Sequence, residues 1–118
     1  MSAELVQLGS FYTEPGVVLI ARINGRPVGC VALRDRGGRL GEVRRLFVTP
    51  DGRSTGLGRA LMAGLVRQAR SNGFGRLVLN TLPTMTHASG LYADLGFAVI
   101  EPYVAEPTPG VLFYGRDL

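Results

Sequence analysis

Residues 53–65 read RSTGLGRALMAGL, and the reading of this stretch decides the fold of the chain. From Leu57 onward the apolar residues recur at helical spacing. Leu57, Leu61, Leu65 and Ala69 form one stripe, with Met62 and Val66 beside it. Arg67 and Arg70 fall in the last turn, where the helix dipole favours cations, and Gly73 suits the residue that ends the helix. Gly56 and Gly58, however, stand where the first turn begins, and a glycine inside a helix costs about 1 kcal/mol relative to alanine. A helix N-terminus carries unpaired N–H groups and a partial positive charge, which together attract phosphate. Phosphate oxygens reach those groups only where no Cβ intervenes, and Gly56 and Gly58 clear the way. Ser54 or Thr55 can cap the helix or donate to an oxygen, while Arg53 and Arg59 can add charge-assisted hydrogen bonds. The competing explanation is packing, in which glycine merely lets the helix approach a sheet.

Working outward, both flanks read as strands. Upstream, Val17–Ile23 (VVLIARI) is apolar and β-branched, and Asn24-Gly25 is a strong hairpin signal because both positions tolerate positive φ. Val28–Leu33 (VGCVAL) is the return strand and Glu42–Val48 (EVRRLFV) the third of an antiparallel meander. Downstream, Leu77–Leu79 reads as a strand buried on both faces. The helix between it and Val48 makes a β–α–β crossover, which predicts a parallel pair. A second helix is expected around Ala88–Leu95, ended by Gly96, and then strands at Phe97–Ile100 and Val111–Tyr114 on either side of a Pro-rich loop. The order is β-β-β-α-β-α-β-β, an α+β domain around one mostly antiparallel sheet. Within residues 1–16, Glu4–Leu8 suits either a helix turn or a strand.

Composition bounds the function. A chain of 118 residues with 46% hydrophobic content is expected to form a single domain with one core. It has no apolar run near the roughly 18 residues that span a bilayer and no visible secretory signal, so a cytoplasmic protein without membrane partners is expected. Its one cysteine, Cys30, reads as a small core residue; with His87 as the one histidine, no metal site is expected. His87 itself reads as an exposed residue near a helix start rather than a base. Thirteen arginines, no lysine and nine acidic residues give net +4, which suits an anionic ligand but is too dispersed to call for nucleic acid. A dinucleotide fingerprint fails because Leu61 stands at its third glycine, and the following strand ends at Asn80 where an acidic residue is wanted. No Gly-Lys-Ser/Thr is present, which removes the P-loop.

Arg53-x-x-Gly56-x-Gly58, preceded by Glu42–Val48 and Pro50, resembles the acetyl-CoA signature of the GNAT N-acetyltransferase superfamily, R/Q-x-x-G-x-G/A at a strand–loop–helix junction. Ala88–Phe97 (ASGLYADLGF) is similar to the family's second signature, A-x-x-L-Y-x-x-L-G-F. The resemblance implies a sheet whose Glu42–Val48 strand splays from the strand at Leu77–Thr81. It implies acetyl-CoA as cofactor, with its pantetheine arm along Leu46, Phe47 and Val48. The pyrophosphate would then rest on Arg53, Ser54, Thr55, Gly56, Leu57, Gly58, Arg59 and Ala60. It further implies an N-acetyltransferase in which a primary amine of a small molecule or peptide attacks directly.

Such a transfer needs one group to take a proton from the amine and another to give one to the departing sulfur. By resemblance Tyr92 is the proton donor. Glu42, opening the splayed strand, is the candidate base, acting directly or through water, and the Glu101-Pro102-Tyr103 loop is expected to border the acceptor pocket. Met85 stands where many members have an asparagine, so that contact is not carried over. Residues 1–16 are too few for the family's usual first strand and early helices. That shortfall suggests an apolar sheet face needing cover, met by a homodimer or, in a monomer, by residues 1–16 folding back over it. It also favours the alternative function, a non-catalytic acyl-CoA-binding or interaction module.

Overall fold

Asn24 and Gly25 both adopt positive φ, 52° and 78°, and close the hairpin from which the sheet is built. In the computed structural model, which describes residues 4–8, 16–50, 56–81 and 86–118, this turn joins β2 (Val17–Ile23) to β3 (Arg26–Asp35). β4 (Leu40–Val48) extends the antiparallel meander. Helix α1 (Leu57–Ser71) then crosses over to β5 (Arg76–Thr81), which lies parallel to β4. Helix α2 (Thr86–Asp94), β6 (Ala98–Val99) and β7 (Leu112–Asp117) complete the chain. β7 inserts between β5 and β6, antiparallel to both.

The segment before Val17 differs from the expectation. Glu4–Leu8 forms β1, antiparallel to β2, so the described sheet has seven strands in the order β1-β2-β3-β4-β5-β7-β6. Of the two conformations open to Glu4–Leu8, the structure has the strand. Five residues carry too little local pattern to declare themselves, and the free edge of β2 supplies the pairing that decides their conformation. On the face of β2 and β3 turned away from α1, Val18 is 8% and Ala32 3% exposed, whereas Ile20 is half-buried. Cys30 on that face is half-buried rather than enclosed.

The core lies between the sheet and α1, where Leu57, Leu61, Met62, Leu65, Val66 and Ala69 pack with Leu19, Val31, Leu33, Val43, Leu77 and Leu79. Leu61, Met62, Leu65 and Ala69 are fully enclosed, as the stripe predicted. At Gly41 the sheet is so tightly packed that a Cβ would stand 2.8 Å from Leu33 Cδ1 and 3.0 Å from Leu77 Cδ2. That glycine holds β4 and β5 together at the start of their pairing.

Both helices end by one device. Gly73 (φ 91°) follows α1, with Phe74 N–H donating to Ala69 C=O and Gly73 N–H to Arg70 C=O. Gly96 (φ 84°) follows α2, with Phe97 N–H donating to Tyr92 C=O and Gly96 N–H to Ala93 C=O. Each is a Schellman motif, in which the left-handed residue turns the chain so that the next apolar side chain meets the helix's last turn. In α2 that contact is Phe97 on Tyr92, ring centroids 6.1 Å apart. The L-Y-x-x-L-G-F segment thus encodes a helix stop that also fixes the tyrosine. A non-glycine residue in the left-handed region costs about 1–2 kcal/mol. Gly96→Ala is therefore expected to lower unfolding free energy by that amount in urea titration and to loosen the Tyr92 ring, read as broadened aromatic NMR signals.

Candidate active site

β4 and β5 pair over only three residues, Leu40–Glu42 with Arg76–Val78. Beyond them the strands diverge. The divergence has a local cause in β4: Arg44 pairs with Ala32 and Phe47 with Cys30, so Arg45 and Leu46 together stand opposite Val31. Such a bulge bends its strand and increases its twist. β5 meanwhile stays in register with β7 through Thr81. The resulting slot passes through the sheet and opens a cavity of about 590 Å³ lined from both faces.

From the α1 side the cavity is lined by Val43, Leu79 and Tyr92, with Leu46 at the bulge. Tyr92 is 6% exposed, held between Phe97 and Tyr114 (ring centroids 6.1 and 5.6 Å). Its hydroxyl has no hydrogen-bond partner among the described residues. Burial pushes its pKa above the usual 10.0, helped by neighbouring Tyr114.

From the other side come Glu42, Asn80, Arg34, Arg36 and Arg44. Glu42 is 6% exposed, and both carboxylate oxygens accept hydrogen bonds: Oε1 from Arg36 at 3.3 Å, Oε2 from the Tyr103 hydroxyl at 3.0 Å. Arg44 stands 3.9 Å from Oε1. Asn80 donates to the Tyr103 hydroxyl at 3.0 Å, the Arg36 guanidinium lies over the Tyr103 ring, and Phe113 meets that ring edge-on. Burial, opposed by the Asn80 hydrogen bond and reinforced by the negative charge of Glu42, pushes the Tyr103 pKa up to about 12. It therefore remains a donor to Glu42 throughout the physiological range.

The structure thus brings Tyr92 and Glu42, 50 positions apart in the sequence, to a single cavity. Val104 and Val111 line it too, consistent with the loop expected at its border. Sequence reasoning missed Arg36, Arg44 and Asn80, and named Tyr103 only as part of a loop. None carries a local signal, since only the long-range hydrogen bonds define their roles.

At the N-terminus of α1, Gly56 is the N-cap with φ 78°, and among the described residues no side chain caps the helix. The capping expected of Ser54 or Thr55 falls on residues outside those described; Arg53, Met85 and the His87 side chain lie outside them too. Ala60 N–H already donates to Gly56 C=O, whereas the N–H groups of Leu57, Gly58 and Arg59 precede the first intrahelical bonds. No acidic residue occupies the first turn. The Leu57 side chain is core, leaving only its backbone for a ligand, and Arg59 pairs with Asp94 of α2 at 2.8 Å. Phe47 is 52% exposed while Leu46 and Val48 are half-buried.

The two explanations for Gly58 can now be separated. A Cβ there would meet Leu91 at 3.6 Å and Val48 at 4.0 Å, ordinary contacts. Packing does not require this glycine.

A family model described as acetyltransferase (GNAT) family matches residues 2–97. The chain belongs to this family. An uncharacterized N-acetyltransferase of Schizosaccharomyces pombe is 37% identical over 105 residues, covering 87% of this chain, which in turn spans 64% of that protein's length. A structure described as an acyl-CoA N-acyltransferase from Klebsiella pneumoniae superposes with TM-score 0.85 at 27% identity, covering 94% of this chain and 78% of its own. A GNAT acetyltransferase from Elizabethkingia anophelis, solved with acetyl-CoA bound, shares the fold at TM-score 0.81 and 17% identity, over 98% of both chains. This GNAT domain has the mixed sheet with one parallel pair that the resemblance implied.

Because the space at Gly58 is open, Gly58→Ala is expected to stabilise the ligand-free protein by up to about 1 kcal/mol, the helix-propensity difference. Urea unfolding measures it; a destabilised variant would restore the packing explanation.

Proposed function

We propose that this chain transfers an acetyl group from acetyl-CoA to a primary amine by direct attack. The observation that supports it best is the slot between β4 and β5, which joins Tyr92 on one face of the sheet to Glu42 on the other. The residues fit the cofactor. The slot has apolar walls at Val43, Leu46 and Leu79, and α1, which follows β4 in the chain, begins with Gly56 and Gly58 in place. In this reading Leu46, Phe47 and Val48 flank the pantetheine arm, and the backbone from Arg53 to Ala60 holds the pyrophosphate. Bound acetyl-CoA supplies the thioester carbonyl and the sulfur leaving group.

Glu42 takes a proton from the acceptor ammonium, directly or through water, because an amine attacks only with its lone pair free. Arg36 and Tyr103 hold the carboxylate at fixed orientation for that task. Tyr92 gives its hydroxyl proton to the sulfur as it departs. A raised pKa keeps that proton in place, so the high-pH loss of kcat governed by Tyr92 falls above pH 10.0. A cytoplasmic setting suits this chemistry, with Cys30 kept as a thiol. One observation favours the second reading, a non-catalytic acyl-CoA-binding module: both oxygens of Glu42 already accept donors.

Thiol release from acetyl-CoA, assayed against amino acids, polyamines and peptides, tests the two readings. Release with at least one acceptor supports transfer, and binding of coenzyme A without release against the whole panel supports the module. Coenzyme A at a hundred times its Kd is expected to stabilise the parent by about 2.7 kcal/mol, and Gly58→Val, which fills the approach to the helix N-terminus, to abolish that gain. Tyr92→Phe is expected to lower kcat by about a hundredfold with cofactor Kd unchanged; full turnover would make the ring a packing residue. Glu42→Gln is expected to lose activity at neutral pH and recover as pH rises and the acceptor amine deprotonates unaided. Parallel pH profiles in variant and parent would remove Glu42 from proton transfer.

A further inference from the structure

The face of the cavity that holds Glu42 is unbalanced in charge. Its described lining has one carboxylate against three guanidiniums, Arg34, Arg36 and Arg44. Arg36 is committed, paired with Glu42 and stacked over Tyr103. Arg34 has no hydrogen-bond or ion-pair partner among the described residues, and Arg44 comes no closer than 3.9 Å to Glu42. Their positions follow from the sheet register. Arg34 pairs directly with Glu42 across β3 and β4, and Arg44 lies two residues along β4, so all three share one face. Arg34 is exposed and the Arg44 side chain is 41% exposed; both are available to a ligand entering the cavity.

These arginines are badly placed to serve the cofactor's phosphates. The helix N-terminus that would hold the pyrophosphate follows the far end of β4. Glu42 and Val48 are separated by six residues, about 20 Å at roughly 3.3 Å per residue. Arg34, without a described partner, and Arg44, joined to Glu42 only by a 3.9 Å ion pair, therefore repel a simple alkylamine or polyamine, whose ammonium must reach Glu42. An acceptor that brings its own anion removes that repulsion, and planar guanidinium forks match a carboxylate with two parallel hydrogen bonds.

We infer that the acceptor is an amino carboxylate, its amine directed to Glu42 and its carboxylate held by Arg34 and Arg44. The inference rests on the acetyl-transfer reading for its chemistry, but binding alone can test it. In thiol-release assays, free amino acids are expected to exceed the corresponding amino acid amides at least tenfold in kcat/KM. Arg34→Gln and Arg44→Gln each reduce that acid-to-amide ratio severalfold, through KM for the acid, and the double variant brings it near one. Arg44→Lys, which keeps the charge without the fork, recovers part of it. In parallel, thermal melting with coenzyme A present is expected to rise with millimolar amino acids and not with their amides. Amides used as well as acids, or a ratio unmoved in the arginine variants, would overturn the inference and leave acetyl transfer intact. Thermal shifts by acids, lost in the arginine variants, without any thiol release would uphold the amino-carboxylate site at Arg34 and Arg44 and defeat its role as the site of an acetyl acceptor. Neither shift nor release with any acid overturns the inference.

Discussion

The parting of β4 and β5 after three paired residues is the constraint on which the site depends. A sheet continuous across that junction would be a closed wall, with Tyr92 and Glu42 sealed on opposite sides. The extra residue at Arg45–Leu46 bends β4 away a few positions after the strands pair at Leu40–Glu42.

Each face then contributes through a different kind of interaction. On the helix side Tyr92 is held by packing alone, between Phe97 and Tyr114 and at the last turn of a helix whose stop is built by Gly96 and Phe97. Its hydroxyl is left without a described partner and its environment disfavours ionisation. On the opposite face Glu42 is held by hydrogen bonds from Arg36 and Tyr103, with Asn80 fixing Tyr103 in turn. Apolar packing keeps the proposed acid protonated, whereas polar contacts orient the proposed base. Buried groups in such contrasting surroundings are the usual way in which one site separates donor from acceptor roles.

Tyr103 ties the long loop after β6 to the sheet through four contacts of three types: the Glu42 and Asn80 hydrogen bonds, the Arg36 cation and the Phe113 edge. The loop carries Val104 and Val111 into the cavity lining. It thereby supplies wall on the face that α1 and α2 leave uncovered, and it borders the pocket where the acceptor is proposed to sit.

Read alone, the sequence determined most of the elements and both helix stops, because these depend on local physics. The Leu57–Ala69 stripe, the Asn24-Gly25 turn and the Gly-Phe pairs at 73–74 and 96–97 each act within a few residues. The parallel β4–β5 pair followed from chain connectivity. Tertiary structure alone decided what depends on distant partners. β1 owes its conformation to the edge of β2, and the bulge in β4 exists only relative to β3. The Tyr103–Glu42 hydrogen bond joins positions 61 residues apart, and nothing near either residue announces it. The packing account of Gly58 could be dismissed only once Leu91 and Val48 were seen to leave room, since free space around a residue is set by the whole fold.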